Sequence, residues 1–259
     1  MKKTQANRQR AGINSLEVGL RLARVLAQES WPLPLKDLAA RAQMAPAKAH
    51  RYLVSLIRAG LAEQDLETGR YRLGPFALEL GLSALGSIDV LKLGAETITH
   101  LRAAIDETVL LAVWGNKGPV VARWEESSRP VATNVRAGWV MPLANSATGR
   151  LFAAYLPEAV TSPLLKAEFA RMPEAKRGYA ARLEEIRERG LSRVQGDLLR
   201  GVASVAAPVF GHDGAMVAAI AALGPQGGFD VAWEGDIAAA VKRAARGLST
   251  RLGYRAAAR

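Results

Sequence analysis

The stretch PLKDLAARAQMAPAKAHRYLVSLIRAG, residues 34–60, decides the architecture of the first third of the chain. Leu35, Leu38, Ala39 and Ala42 recur at the three- and four-residue spacing of a short helix that buries one stripe. Tyr52, Leu53, Leu56 and Ile57 form a second stripe, leaving Gln43, Met44 and Ala45 as the turn between. Pro46 fits the first turn of the second helix, where its missing N–H would have had no partner anyway. Gly60 is placed to stop it, because glycine adopts the left-handed backbone that helix ends use. Small Ala39 lets the two helices approach, and the pair is predicted as a helix-turn-helix. Ala47, Lys48, His50, Arg51 and Ser55 fall off the second stripe, on the face that would enter a major groove.

Upstream, Leu16, Leu20, Ala23 and Ala27 predict a preceding helix, with Asn14 or Ser15 as its N-cap and Glu17 in its first turn. Residues 1–12 are basic and without periodicity, and are expected to form a flexible arm. After Gly60 the period changes to two. Leu61–Gln64 and Arg70–Leu73 read as a hairpin whose loop holds Gly69 at a left-handed position. Residues 13–75 are thus predicted as a winged helix-turn-helix DNA-binding domain, with Arg70 and Arg72 of the wing expected at phosphates. Lys48 suits a guanine edge, Arg51 a base or a phosphate, and His50 a base, a backbone contact or a cap.

Charge agrees with this division. The 259-residue chain carries a formal +11, and residues 1–75 hold thirteen Lys and Arg against six Asp and Glu. Such clustering is what phosphate neutralisation requires, although a basic surface can also serve solubility. The absence of cysteine excludes thiol nucleophiles and cysteine metal sites. His50, His100 and His212 stand far apart and in no metal spacing, so neither metal nor cofactor is expected, and no catalytic motif is present. No signal-peptide pattern or membrane-length apolar run occurs, which predicts a cytoplasmic protein with no membrane partner.

Gly74-Pro75 breaks the chain, and Phe76 to about Leu85 reads as a linker helix within a linker at 76–90. A helix from about Val90 to Ile105 leads into a second domain at 91–259. Strands are predicted at 108–114, 119–124, 202–210 and 216–223; helices are predicted from near Ser146 to Tyr155, over 180–189 and over about 232–252. The fold class is α+β.

Together these residues resemble the IclR family of bacterial transcriptional regulators over nearly the whole chain. The resemblance rests on Ser15-Leu16-Glu17-Val18-Gly19-Leu20, on His50-Arg51, on Glu63-Gln64-Asp65 followed by Glu67 through Pro75, and on Leu78-Glu79-Leu80-Gly81. It continues through Pro142-Leu143, Ala147 and Gly149-Arg150, then Gly201-Val202, Ala206-Ala207-Pro208-Val209-Phe210, Gly214 and Gly224-Pro225. The resemblance implies a GAF-like mixed α/β effector-binding domain and homodimers that often pair into dimers of dimers. It also implies a double-stranded DNA operator that is palindromic or nearly so.

Departures from the family pattern shape the ligand expectation. Lys48 stands where Ser or Thr is usual and Gln43 where Gly is frequent. Val194 and Asp197 replace an acidic residue and a glutamate. Of the positions where binders of small keto acids are polar (Val194, Ser204, Ala221 and Leu223) only Ser204 is polar here. A small carboxylate would be poorly held. The helix start at Ala147, Thr148 and Gly149 still offers backbone N–H groups to one carboxylate. A larger, more apolar acid, aromatic acids included, is expected, with Trp139, Met141, Leu143, Val194, Ala221 and Leu223 as its walls. Ser146, Thr148 and Ser204 also suit caps or backbone satisfaction, and Trp139 suits core packing equally well. Two other readings stay open: an architectural DNA-binding protein whose second domain only oligomerises, and an enzyme with a DNA-binding appendage.

Overall fold

The computed structural model describes residues 12–29, 31–87, 89–128 and 135–255, so the expected arm lies outside them except for Gly12. The chain divides into two compact units, Met1–Ile88 and Asp89–Arg259.

In the first unit, α1 (Asn14–Leu26), α2 (Leu35–Arg41) and α3 (Pro46–Arg58) enclose a core in which Leu22, Leu38 and Leu53 are fully buried. Each such side chain contributes ~1.5–3 kcal/mol relative to exposure. The N-cap of α1 is Ile13, not Asn14 or Ser15; its carbonyl accepts the Leu16 and Glu17 amides at 3.0 and 3.2 Å. Ile13 gives this end no side-chain cap, and the charge of Glu17 in the first turn complements the helix dipole. Between α2 and α3, Gln43 is held at φ 55°, in the left-handed region. At the end of α3, Gly60 (φ 71°) donates to Ile57 O and Leu61 N donates to Leu56 O, both at 2.9 Å. This paired closure satisfies two carbonyls the helix would leave open.

The wing pairs β1 (Ala62–Gln64) with β2 (Tyr71–Leu73), and Leu33 exchanges two backbone bonds with Tyr71 on the outer side, at 2.9 and 2.8 Å. In its loop, Asp65 Oδ1 accepts the Glu67 and Thr68 amides at 3.0 and 2.8 Å, and those Thr68 and Glu67 bonds hold its carboxyl below its ordinary range. Gly69 takes φ 67°. Helix α4 (Pro75–Ser87) follows, counted with the first unit, so the division falls inside the span read as a linker.

The second unit is built on a five-stranded antiparallel sheet of order β4-β3-β7-β6-β5. Its strands are β3 (Thr108–Gly115), β4 (Gly118–Glu125), β5 (Ser192–Gln195), β6 (Val202–Phe210) and β7 (Met216–Pro225). Alternate residues of β6 and β7 face opposite layers. Ala206, Ala219, Ala221 and Leu223 join Leu151 and Phe152 of α6 (Ala147–Tyr155) in one core. On the other face, α5 (Val90–Ile105) packs on β3, and α9 (Asp236–Arg251) packs on β6. The alanines keep both helix layers close to the sheet.

Three elements were not predicted: α7 (Glu158–Arg171), a 3-10 turn at Pro173–Lys176, and β5. Pro163 lies inside α7, where it removes a helical donor. Helix α8 (Tyr179–Arg189) follows. The last helix begins at Asp236 rather than 232, because Asp230 first takes the Ala232 amide into a turn at 2.8 Å. Among the described residues no helix is long and apolar enough to cross a membrane.

Candidate functional site

Helix α3 buries Ala49, Leu53 and Leu56 and turns Ala47, Lys48, His50, Arg51 and Ser55 to solvent. Lys48, Arg51, Tyr52 and Ser55 line a shallow depression of about 350 Å³. The Ser55 hydroxyl leans back to Arg51 O at 3.5 Å, a long contact that leaves it accessible. In the wing, Arg70 is exposed, whereas Arg72 pairs across the hairpin with Glu63, its register partner. The pair uses only Arg72 Nε, so its terminal N–H groups remain free for a phosphate, and the wing tip is acidic, with Asp65 and Glu67 flanking a fully exposed Leu66. A further basic cluster, Arg21, Arg24 and Arg41, surrounds Gln43 beside the helix turn. Arg21 and Arg24 were legible as cations of α1; the packing that brings Arg41, which pairs with Glu29, beside them was not.

The second candidate site surrounds the start of α6. Ser146 is its N-cap: Oγ accepts Gly149 N at 2.8 Å and donates to Pro142 O at 2.6 Å. The preceding loop folds so tightly on the helix that a Cβ at Gly149 would overlap the Pro142 carbonyl and Leu143. Ala147 and Thr148, both buried, occupy the first two helical positions, whose amides have no intrahelical acceptor.

Strand register brings the distant candidates together. Val194, Ser204 and Leu223 lie in one cross-strand row ending at Thr108, and Ala206, Ala221 and Leu110 in the next. Met141, Leu143, Ala147, Val194, Ala221 and Leu223 share one buried core, with Trp139 packed against it. Ser204 donates its hydroxyl to Ala222 O at 2.9 Å, which takes its only proton. Buried Thr108, not anticipated from sequence, adds a second hydroxyl to that row, where Oγ1 accepts Ser127 N at 3.2 Å.

A polar shell encloses the same loop. Leu143 N and Ala144 N donate to the two carboxylate oxygens of Glu168 at 3.0 and 2.7 Å. Tyr179 donates to Leu143 O at 2.8 Å; burial pushes its phenol up, keeping that proton in place. Arg150 reaches Ala144 O at 3.0 Å and Asp197 at 2.7 Å. Burial opposes ionisation of Asp197, but the Gln195 amide and Arg150 outweigh it and hold its pKa down. Beside them, Asn145, Arg150, Arg182 and Asp197 line a pocket of about 280 Å³. Among the described residues the buried Asn145 Oδ1 and Arg182 Nε have no hydrogen-bond partner. Sequence reasoning missed Glu168, Tyr179 and Arg182, since none sits in a motif.

A winged helix-turn-helix with a free cationic recognition face, followed by a separate α+β unit, defines a DNA-binding regulator. Residues 15–66 match the model of the IclR helix-turn-helix domain, and residues 82–250 match that of the bacterial transcriptional regulator IclR C-terminal domain. The chain belongs to the IclR family of bacterial transcriptional regulators. It is 26% identical over 248 residues to the HTH-type transcriptional regulator XynR of Escherichia coli K12, covering 93% of this chain and 98% of that one. It is 31% identical over 255 residues to the glycerol operon regulatory protein of Streptomyces coelicolor, covering 93% and 97%. The crystal structure of Pseudomonas aeruginosa HmgR shares 40% identity and a TM-score of 0.88, over 93% of this chain and 99% of that one.

Proposed function

We propose that this transcriptional regulator senses an apolar organic acid, aromatic acids included, and answers by changing operator affinity or promoter activity through its dimer or dimer-of-dimers arrangement. In this reading residues 13–75 bind a palindromic or near-palindromic operator, 76–90 connect, and 91–259 hold the effector. The observation that carries it is the row of Val194, Ser204 and Leu223, with Ala221 in the next, beside the buried start of α6. Backbone amides of Ala147 and Thr148 suit a carboxylate, and the apolar row suits a ring or chain rather than a second polar group. Displacing side chains of this core is the cost of entry, which an apolar ligand offsets by its own burial.

The test is a thermal-shift screen of the full chain against acids from pyruvate and glyoxylate to hydroxybenzoates and phenylacetates. A ligand that binds only the folded state raises Tm by mass action. A saturable shift with an aromatic acid is expected, followed by altered operator binding in a gel-shift assay. Stabilisation by small keto acids alone would overturn the apolar reading. No shift with any acid would favour an oligomerising domain that takes no metabolite.

A further inference from the structure

A cleft of about 480 Å³ opens elsewhere in the second unit, and none of its lining residues belongs to the α6 site. Its origin is topological. Strand β5 begins at Ser192, opposite Ala206, so the end of β6 from Ala207 to Phe210, paired with β7 on one side, has no strand among the described residues on its β5 side. This edge is closed to a further strand: Pro208 has no N–H, and Phe210 N is taken by Ser249 Oγ at 3.0 Å. What remains is a notch walled by the end of α8 and by α9.

Charge in the notch is one-sided. Arg187 and Arg189 from α8 and Lys242 and Arg246 from α9 line it, against the single acid Glu188. The α8 arginines are committed: Arg187 donates to Ala154 O at 2.7 Å, and Arg189 pairs with Glu185 at 3.4 Å and lies over Trp233. Lys242 and Arg246 stand one helical turn apart, and among the described residues neither side chain has an ion-pair or hydrogen-bond partner. Like charges at this spacing repel, and an anion between them relieves the repulsion. Three aromatic side chains line the same cleft: Tyr155 meets Phe210 edge-on at 5.3 Å, and Phe210 meets Tyr254 at 5.0 Å. Ala207 and Ala245, both small, line it as well. The volume is that of a small-molecule site.

We propose that this cleft is a second ligand site, for an aromatic organic anion whose ring lies on Tyr155, Phe210 and Tyr254 and whose acidic group sits between Lys242 and Arg246. The site is independent of the effector reading at α6.

The full chain is crystallised with 4-bromobenzoate, and binding is followed by calorimetry in the wild type and in Lys242→Glu/Arg246→Glu. Lys242→Gln/Arg246→Gln serves as a milder variant, and circular dichroism checks that both fold. Bromine anomalous density in the cleft is expected. A roughly tenfold or greater loss of affinity at one site in the charge-reversed variant is also expected, since two charge-assisted contacts are lost. Inorganic phosphate at equal concentration, a charge without a ring, is expected not to compete. Absence of bromine from the cleft, or unchanged affinity in both variants, overturns the proposal. Bromine at the start of α6 alone would uphold the effector reading and sink this one; bromine in the cleft alone would uphold this one and leave the effector reading to the acid screen.

Discussion

Gln43 shows how one residue can be locally wrong and globally fixed. Its φ of 55° places an ordinary side chain where glycine is at ease, and the Met44 amide bond to Ala39 O at 3.0 Å holds the turn regardless. Left-handed backbone costs an L-residue ~1–2 kcal/mol, partly offset by glycine's greater freedom in the unfolded chain. Gln43→Gly is therefore expected to stabilise the protein by about 0.5–1 kcal/mol, read from the denaturant midpoint. The same strain was legible in the sequence only as a departure from the family's frequent glycine. On the recognition face, Lys48→Ala is expected to cost ~1–3 kcal/mol on operator DNA with little change on random DNA, as a base reader would. For Arg51→Ala the salt dependence decides its role. A slope of log affinity against log salt that falls by about 1 marks a phosphate contact, and an unchanged slope with relaxed sequence preference marks a base contact.

At the scale of elements, periodicity revealed what buries one regular stripe. Helices α1, α2 and α3 do so, whereas β6, β7 and α6 were legible as apolar runs, buried on every side. Helix α7 does not: it carries Pro163, only Thr161 of it is buried, and no repeat marks it. Yet α7 supplies Glu168, whose carboxylate joins residues 24 and 25 positions away, a contact that no local pattern encodes. The effector candidates Val194, Ser204, Ala221 and Leu223 came one by one from the family resemblance; their assembly into neighbouring rows needed the register of β5 on β6 and β6 on β7. Removing the clamp tests its weight. Glu168→Ala leaves the Leu143 and Ala144 amides without their partner and is expected to lower stability by ~1.5–3 kcal/mol, the value of hydrogen bonds to a charged group. Glu168→Gln, which still accepts through one oxygen, should fall between the two in thermal melting.

For the whole molecule, the two units divide the work by charge and by core. Most of the formal +11 lies in the first 75 residues, on the DNA side. The second unit invests instead in a sheet buried between helices. If an acid binding to the second unit alters operator affinity by some factor, operator DNA must alter the acid's affinity by the same factor. Calorimetric titration of the acid with and without an operator fragment measures this directly. Equal and non-zero coupling in both directions is expected; no coupling in either would leave a DNA-binding protein whose second unit is a passive oligomerisation body.

The alanines of β6 and β7 carry one more consequence. Ala206 and Ala207 are adjacent in the chain, and both are buried, one toward α6 and the other toward α9 and the cationic cleft. With methyl groups on both sides, the sheet here is a thin, stiff diaphragm. A close-packed interior has little slack to absorb displacement, so a push of a fraction of an ångström on one face is delivered to the other across a single backbone layer.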